Sequence, residues 1–115
     1  MVRKPQVEYK YDLRGGKGEI EFNHILSQDE MMGHGTMFAK LILKPGSVLG
    51  RHQHVGNKEP YYIVSGTGIY TDNDGTVTTV GPGDVCYIDV GDFHGIENPS
   101  KTENLELIAL ILNEA

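Results

Sequence analysis

The chain has 115 residues, enough for one domain around one hydrophobic core. Its 16 acidic residues outnumber 10 basic ones, and a net charge of −6 argues against nucleic acid or an anionic membrane surface as a partner. With 38% hydrophobic and 23% charged residues it reads as a soluble globular protein, and its longest apolar run, Leu107 to Leu112, falls far short of a bilayer span.

In chain order, the N-terminus MVRKPQVEYKYD lacks the apolar core of a signal peptide. Val7, Tyr9, Tyr11 and Leu13 then alternate with Glu8, Lys10 and Asp12, which predicts a strand with one apolar face. Arg14-Gly15-Gly16-Lys17-Gly18 matches no phosphate-binding spacing and reads as a flexible turn. Glu19 to Ile25 is strand-like, and Ser27-Gln28-Asp29-Glu30 suits one capped helical turn before Gly33. Gly33-His34-Gly35 is expected as an irregular loop. Phe38 to Leu43 is strand-like and ends at the Pro45-Gly46 turn pair.

The next stretch, GSVLGRHQHVGNKEPYYIVSG from Gly46 to Gly66, is the densest in chemistry. Side chains repeat every two residues on a strand, so His52 and His54 share a face and Arg51 points away. Val55 to Lys58 is loop-like. A strand from Tyr61 to Val64, folding back beside the first, would bring Glu59 to the same space. Tyr61 shares parity with Glu59, so its ring would enter that space and offer a hydrogen bond. Beyond it, Asp72-Asn73-Asp74-Gly75 marks a hairpin between Ile69–Thr71 and Thr76–Val80. Val85 to Ile88 and His94 to Glu97 read as strands around an Asp89–Asp92 bend. Leu105 to Leu112 fits a last strand. Many short strands with 15 glycines predict an all-β sandwich or barrel.

His94, in GDVCYIDVGDFHGIEN, completes a group of three imidazoles and one carboxylate. Here the chain resembles the cupins. Gly46, His52, His54, Glu59 and Gly66 match the first cupin motif, at 46–66. Gly83, Gly91, His94 and Asn98 match the second, at 83–98, with Asp89 in place of a turn-forming proline. The resemblance implies a jelly-roll barrel, the double-stranded β-helix, as one cupin domain over 1–115. It implies His52, His54, Glu59 and His94 as ligands of one metal ion inside the barrel, with Ile63 and Ile96 as apolar walls.

Three neutral imidazoles and one carboxylate leave about two open positions on a six-coordinate ion. That donor set suits Mn first and Fe next, with Zn or Ni also compatible. The small size, the RGGKGE stretch and the second motif are similar to small oxalate-decarboxylase-like cupins. That likeness implies a metal-dependent decarboxylase or oxidoreductase acting on oxalate or another small acid. Two-domain oxalate decarboxylases carry a substrate arginine shortly before the first motif histidine, where this chain has Leu49. A sugar or keto-acid isomerase and a non-catalytic small-molecule binder are the alternatives. Tyr61 is the catalytic candidate; Arg14 and Lys40 are weaker candidates for holding an acid. His24 and His34 lie outside both motifs and read as surface or internally satisfied side chains. Cys86 has no disulfide partner and reads as an inert buried thiol, and the chain as cytoplasmic. The apolar face of residues 7–13 is expected to pack across a homodimer.

Overall fold

The computed structural model describes residues 1–115. The chain forms eleven strands: β1 Gln6–Tyr11, β2 Glu19–Leu26, β3 Gly35–Leu43, β4 Val48–Gln53, β5 Asn57–Lys58, β6 Tyr61–Ser65, β7 Gly68–Thr71, β8 Val77–Val80, β9 Val85–Cys86, β10 Phe93–Glu97 and β11 Leu105–Asn113. They make two antiparallel sheets, ordered β1-β2-β3-β11-β6-β9 with β5 beside β11, and β4-β10-β7-β8. The sheets face each other as a jelly roll. Ile20, Leu41, Leu43, Ile63, Leu105 and Leu107 line the inner face of the large sheet and meet Leu49, Tyr70 and Ile96 of the small one. Full burial of each such side chain contributes about 1.5–3 kcal/mol. No helix is long and apolar enough to cross a membrane.

Most expected strands form where the period-two pattern runs, and the Asp74-Gly75 hairpin joins β7 to β8. The capped turn also forms, at Asp29–Met31: Ser27 Oγ accepts from the Glu30 amide and Glu30 accepts from the Ser27 amide. Three expectations need correction. Residues 61–64 do not fold back beside β4; β6 crosses to the large sheet and pairs with β11 and β9. Leu13 is not part of β1 but opens a 3-10 turn, Leu13–Gly15. Residues 14–18 are not a free turn but lie against β4.

That last contact is tight. Lys17 and Val48 exchange both backbone hydrogen bonds, at 3.0 and 2.8 Å. A Cβ on Gly50 would stand 2.0 Å from the Arg14 carbonyl oxygen, and one on Gly16 would stand 1.9 Å from that of Val48. Only glycines let the two backbones approach so closely. The strand beneath is irregular too. His94 pairs with His52 but Ile96 pairs with Leu49, so β4 spends one more residue than β10 over that interval. This bulge turns Leu49 inward along with His52, which strict alternation would forbid.

Candidate metal centre

Four side chains, two from the small sheet and two from the segments after β4 and β5, meet inside one end of the barrel. His52 on β4 sits opposite His94 on β10. His54 follows β4, and its backbone is pinned by exchange with the second motif: its amide donates to the Asp92 carbonyl and its carbonyl accepts from the Gly91 amide. Glu59 comes from the crossing segment between β5 and β6. The potential ligand atoms of all four lie within 4.8 Å of one another. His52 Nε2 is 3.1 Å from His54 Nε2, and Glu59 Oε1 is 3.1 Å from both His54 Nε2 and His94 Nε2.

The outer nitrogens explain why the inner ones converge. His52 Nδ1 donates to the Gly50 carbonyl at 2.7 Å, and His54 Nδ1 donates to Asn57 Oδ1 at 2.6 Å. His94 Nδ1 meets the Tyr70 hydroxyl at 2.9 Å. A carbonyl can only accept, so Nδ1 carries the proton in the first two rings, and Tyr70 is able to accept from the third. Neutral rings of this tautomer aim Nε2 lone pairs at a common point. Two such lone pairs 3.1 Å apart repel unless a proton or a cation lies between them. The donor set thus fits a divalent ion, with each imidazole oriented by an outer partner as metal-binding histidines commonly are.

Electrostatics agree with a site poised for positive charge. Burial alone would push the Glu59 carboxyl up, yet without an ion, His54 and His94 rings protonated at Nε2 donate to it, and those bonds and charges bring it down to about 2. Burial lowers His52 to about 4, so that ring stays neutral. Burial also opposes charging His54, but its bond to Glu59 outweighs this and raises it.

A cavity of about 130 Å³ opens in front of His52, His54 and Glu59, with His94 buried behind them. Leu13, Phe22, Met37, Leu41, Leu49 and Ile111 form its apolar walls, and Lys10 and Arg14 line it as well. The expected walls Ile63 and Ile96 are elsewhere, in the core. A larger cavity of about 610 Å³ lies away from this site, against the N-terminal arm at Arg3, Glu8 and His24. It contains none of the four ligands and is an open groove between polar surface side chains.

The remaining candidates sort as follows. Tyr61 does enter the interior, stacking on His94 with its hydroxyl 3.4 Å from His94 Nε2, but it stands off the cavity lining. Burial holds its phenol protonated, well above the usual range. His24 pairs with Glu8 at 2.9 Å, and His34 is exposed. Lys40 pairs with Glu106 at 3.0 Å. Arg51 points outward, donating to the Asn73 carbonyl and covering the Phe93 ring. Cys86 is buried, and burial raises its thiol to about 11. Sequence reading missed Asn57 and Tyr70. Asn57 stood close by, in the stretch expected as loop but formed as β5, where its side-chain amide reaches back to the His54 ring.

Residues 39–111 match the cupin domain model. The oxalate-binding protein of Thermotoga maritima is 45% identical over 101 residues, which is 88% of this chain and 82% of that protein. A solved Thermotoga maritima structure, described as a predicted oxalate decarboxylase, is 42% identical with a TM-score of 0.90 over 98% of each chain. The Cnp3 cupin domain of Schizosaccharomyces pombe, at 15% identity and a TM-score of 0.72 over 95% of this chain and 70% of that one, shares the fold alone. A domain match over most of the chain and a relative this similar over most of both lengths agree with the jelly roll and its three-histidine, one-glutamate cluster: the chain belongs to the cupin family.

Proposed function

We propose that residues 1–115 act as one cupin unit that holds a single divalent ion on His52, His54, Glu59 and His94 and captures a small carboxylate, oxalate first, at the open positions. The observation that carries this reading is the orientation of the three imidazoles: their Nδ1 atoms are engaged outward, and their Nε2 atoms and Glu59 Oε1 converge. Mn is the expected ion and Fe the next; Zn and Ni suit the donors less well. When bound, the ion supplies Lewis acidity and coordination positions for ligand oxygens. The apolar walls lower the polarity around the cluster and so strengthen each charge in the cavity. The name of the Thermotoga maritima sequence relative and the description of the Thermotoga maritima structure mention oxalate, which supports the same ligand class.

Binding is favoured over turnover because the cavity holds no ionisable group besides the ligands, Lys10 and Arg14. A decarboxylase or oxidoreductase is the second reading. It is favoured by Tyr61, a protonated phenol within 3.4 Å of His94 Nε2 that could serve as proton donor. A cytoplasmic homodimer completes the proposal; its assembly rests on the exposed apolar outer face of the large sheet.

Protein prepared without chelator should carry about one ion per chain. The electron paramagnetic resonance of its Mn form should change on adding oxalate. No metal after Mn or Fe is supplied would end the metal reading. An unchanged spectrum in millimolar oxalate would end the carboxylate reading. Turnover of oxalate that requires Mn or Fe would move the protein to the enzymatic reading.

A further inference from the structure

We infer that Arg14, seconded by Lys10, is the charge-selecting element of this site, and that it matches the site to a small dicarboxylate rather than to a monoanion or a neutral sugar. This rests on the carboxylate reading above and adds the residue that decides ligand charge.

Both cations line the cavity that also contains His52, His54 and Glu59. Neither has a carboxylate partner, and of the six cations without one (Lys4, Lys10, Arg14, Lys17, Arg51 and Lys101) only these two line the cavity. The side-chain cations that do pair with carboxylates are Arg3, Lys40, Lys44 and Lys58, all outside this cavity. The one carboxylate within it, Glu59, is committed to His54 and His94. Two free positive groups therefore face a space that already awaits a cation. With a divalent ion and Glu59 counted, the local charge is about +3. A dianion answers that excess; a monoanion leaves most of it, and a neutral sugar all of it.

The backbone under Arg14 shows that its position is built. Asp12 and Arg14 both adopt left-handed conformations, at φ 51° and 58°. Each costs on the order of 1–3 kcal/mol and persists only where surroundings enforce it. Here Asp12 closes the turn twice: its amide donates to the Gly18 carbonyl at 3.0 Å, and its Oδ1 accepts from the Gly18 amide at 2.9 Å. Gly16 and Gly50 then allow the turn to seat directly on β4, the strand that carries His52. Lys10 arrives from the adjacent end of β1, its ammonium 4.9 Å above the Phe22 ring of the cavity wall.

Size points the same way. A cavity of about 130 Å³ is well below the roughly 300–1,000 Å³ of pockets that take drug-sized molecules, so the ligand is a small one. A dicarboxylate held in this cavity would have oxygens to spare for Arg14, whose planar fork suits two parallel hydrogen bonds.

The test is calorimetry on Mn-loaded protein, titrating oxalate and formate into the wild type, Arg14→Gln and Arg14→Lys, with the Mn content of each measured. Arg14 is exposed and unpaired, so both variants should fold and keep their Mn. In Arg14→Gln, oxalate affinity should fall at least about tenfold while formate affinity changes less than about twofold. Arg14→Lys should recover part of the loss. Unchanged oxalate affinity in Arg14→Gln overturns this inference alone, as does an equal fall for both anions, which a general field would cause. Loss of Mn in Arg14→Gln would make the residue structural and overturn it too. Failure of oxalate to bind the wild type overturns the carboxylate reading and this one with it.

Discussion

The large sheet carries apolar side chains on both faces, and the two faces meet different fates. Inside, Ile20, Leu43, Ile63, Leu105 and Leu107 are fully buried against the small sheet. Outside, Val7, Tyr9, Tyr11, Tyr62, Val64 and Val85 remain 43–66% exposed. The difference teaches that alternation sorts side chains into two sets without saying which set faces in. On β1 the polar set is the inner one. Lys10 covers Phe22 and Glu8 reaches His24, while the aromatic residues face out. The inner polar residues are tolerated because that edge of the sheet borders the cavity and groove rather than the core.

The largest expected contrast lies within the inner face itself. His24 follows Phe22 by two residues on β2 and stacks on it, so parity alone would rank it with the site histidines. It is held by Glu8, at the sheet edge. Replacing His54 or Glu59 with alanine should take metal content from about one ion per chain to near zero, because a lost ligand cannot be replaced within the barrel. His24→Ala should leave it unchanged. Elemental analysis of the three variants checks this, and equal loss in all three would erase the distinction between site and edge.

A smaller contrast separates the two faces by stability. Leu107 is fully buried, and Leu107→Ala should cost about 2–5 kcal/mol. Val64 lies outside, and Val64→Ala should stay within about 0.5 kcal/mol. Urea unfolding at low protein concentration, where any assembly is dissociated, measures both. A large cost at Val64 under those conditions would mean that the outer face is covered by the chain itself.

These contrasts also mark what the sequence made legible. The cluster of His52, His54, Glu59 and His94 could be read because motif spacing records its members directly, and the strands because each carries its own period. Three features depend on contacts between distant segments, which no local pattern encodes. Tyr70 reaches His94 from another strand. The inward turn of Leu49 depends on how β4 is matched against β10. Arg14 enters the cavity only because Gly16 and Gly50 permit a close backbone approach. The crossing of β6 to the large sheet is of the same kind: its partner, β11, is the last strand in the chain.

The outer face supports the last and smallest expected effect. β1 pairs with its own β2 through all six of its residues, so its edge is half satisfied within the chain. Its side chains are not: Val7, Tyr9 and Tyr11 project beside Glu19, Glu21 and Asn23 of β2. Side chains that large do not gain from burial unless a second surface meets them. A second copy is the simplest such surface, since a twofold axis brings the same patch to itself. The chain should therefore show a dimer mass by light scattering at micromolar concentration. Tyr9→Lys would place an ammonium within that patch and should weaken dimerisation at least about tenfold, a change of about 1.4 kcal/mol. Tyr62→Lys, on β6 at the other side of the sheet, maps how far the interface extends. A monomer mass for the unaltered chain ends the idea. A dimer indifferent to Tyr9→Lys but broken by Tyr62→Lys keeps the assembly and moves its interface away from β1, leaving the outer face of that strand as plain surface.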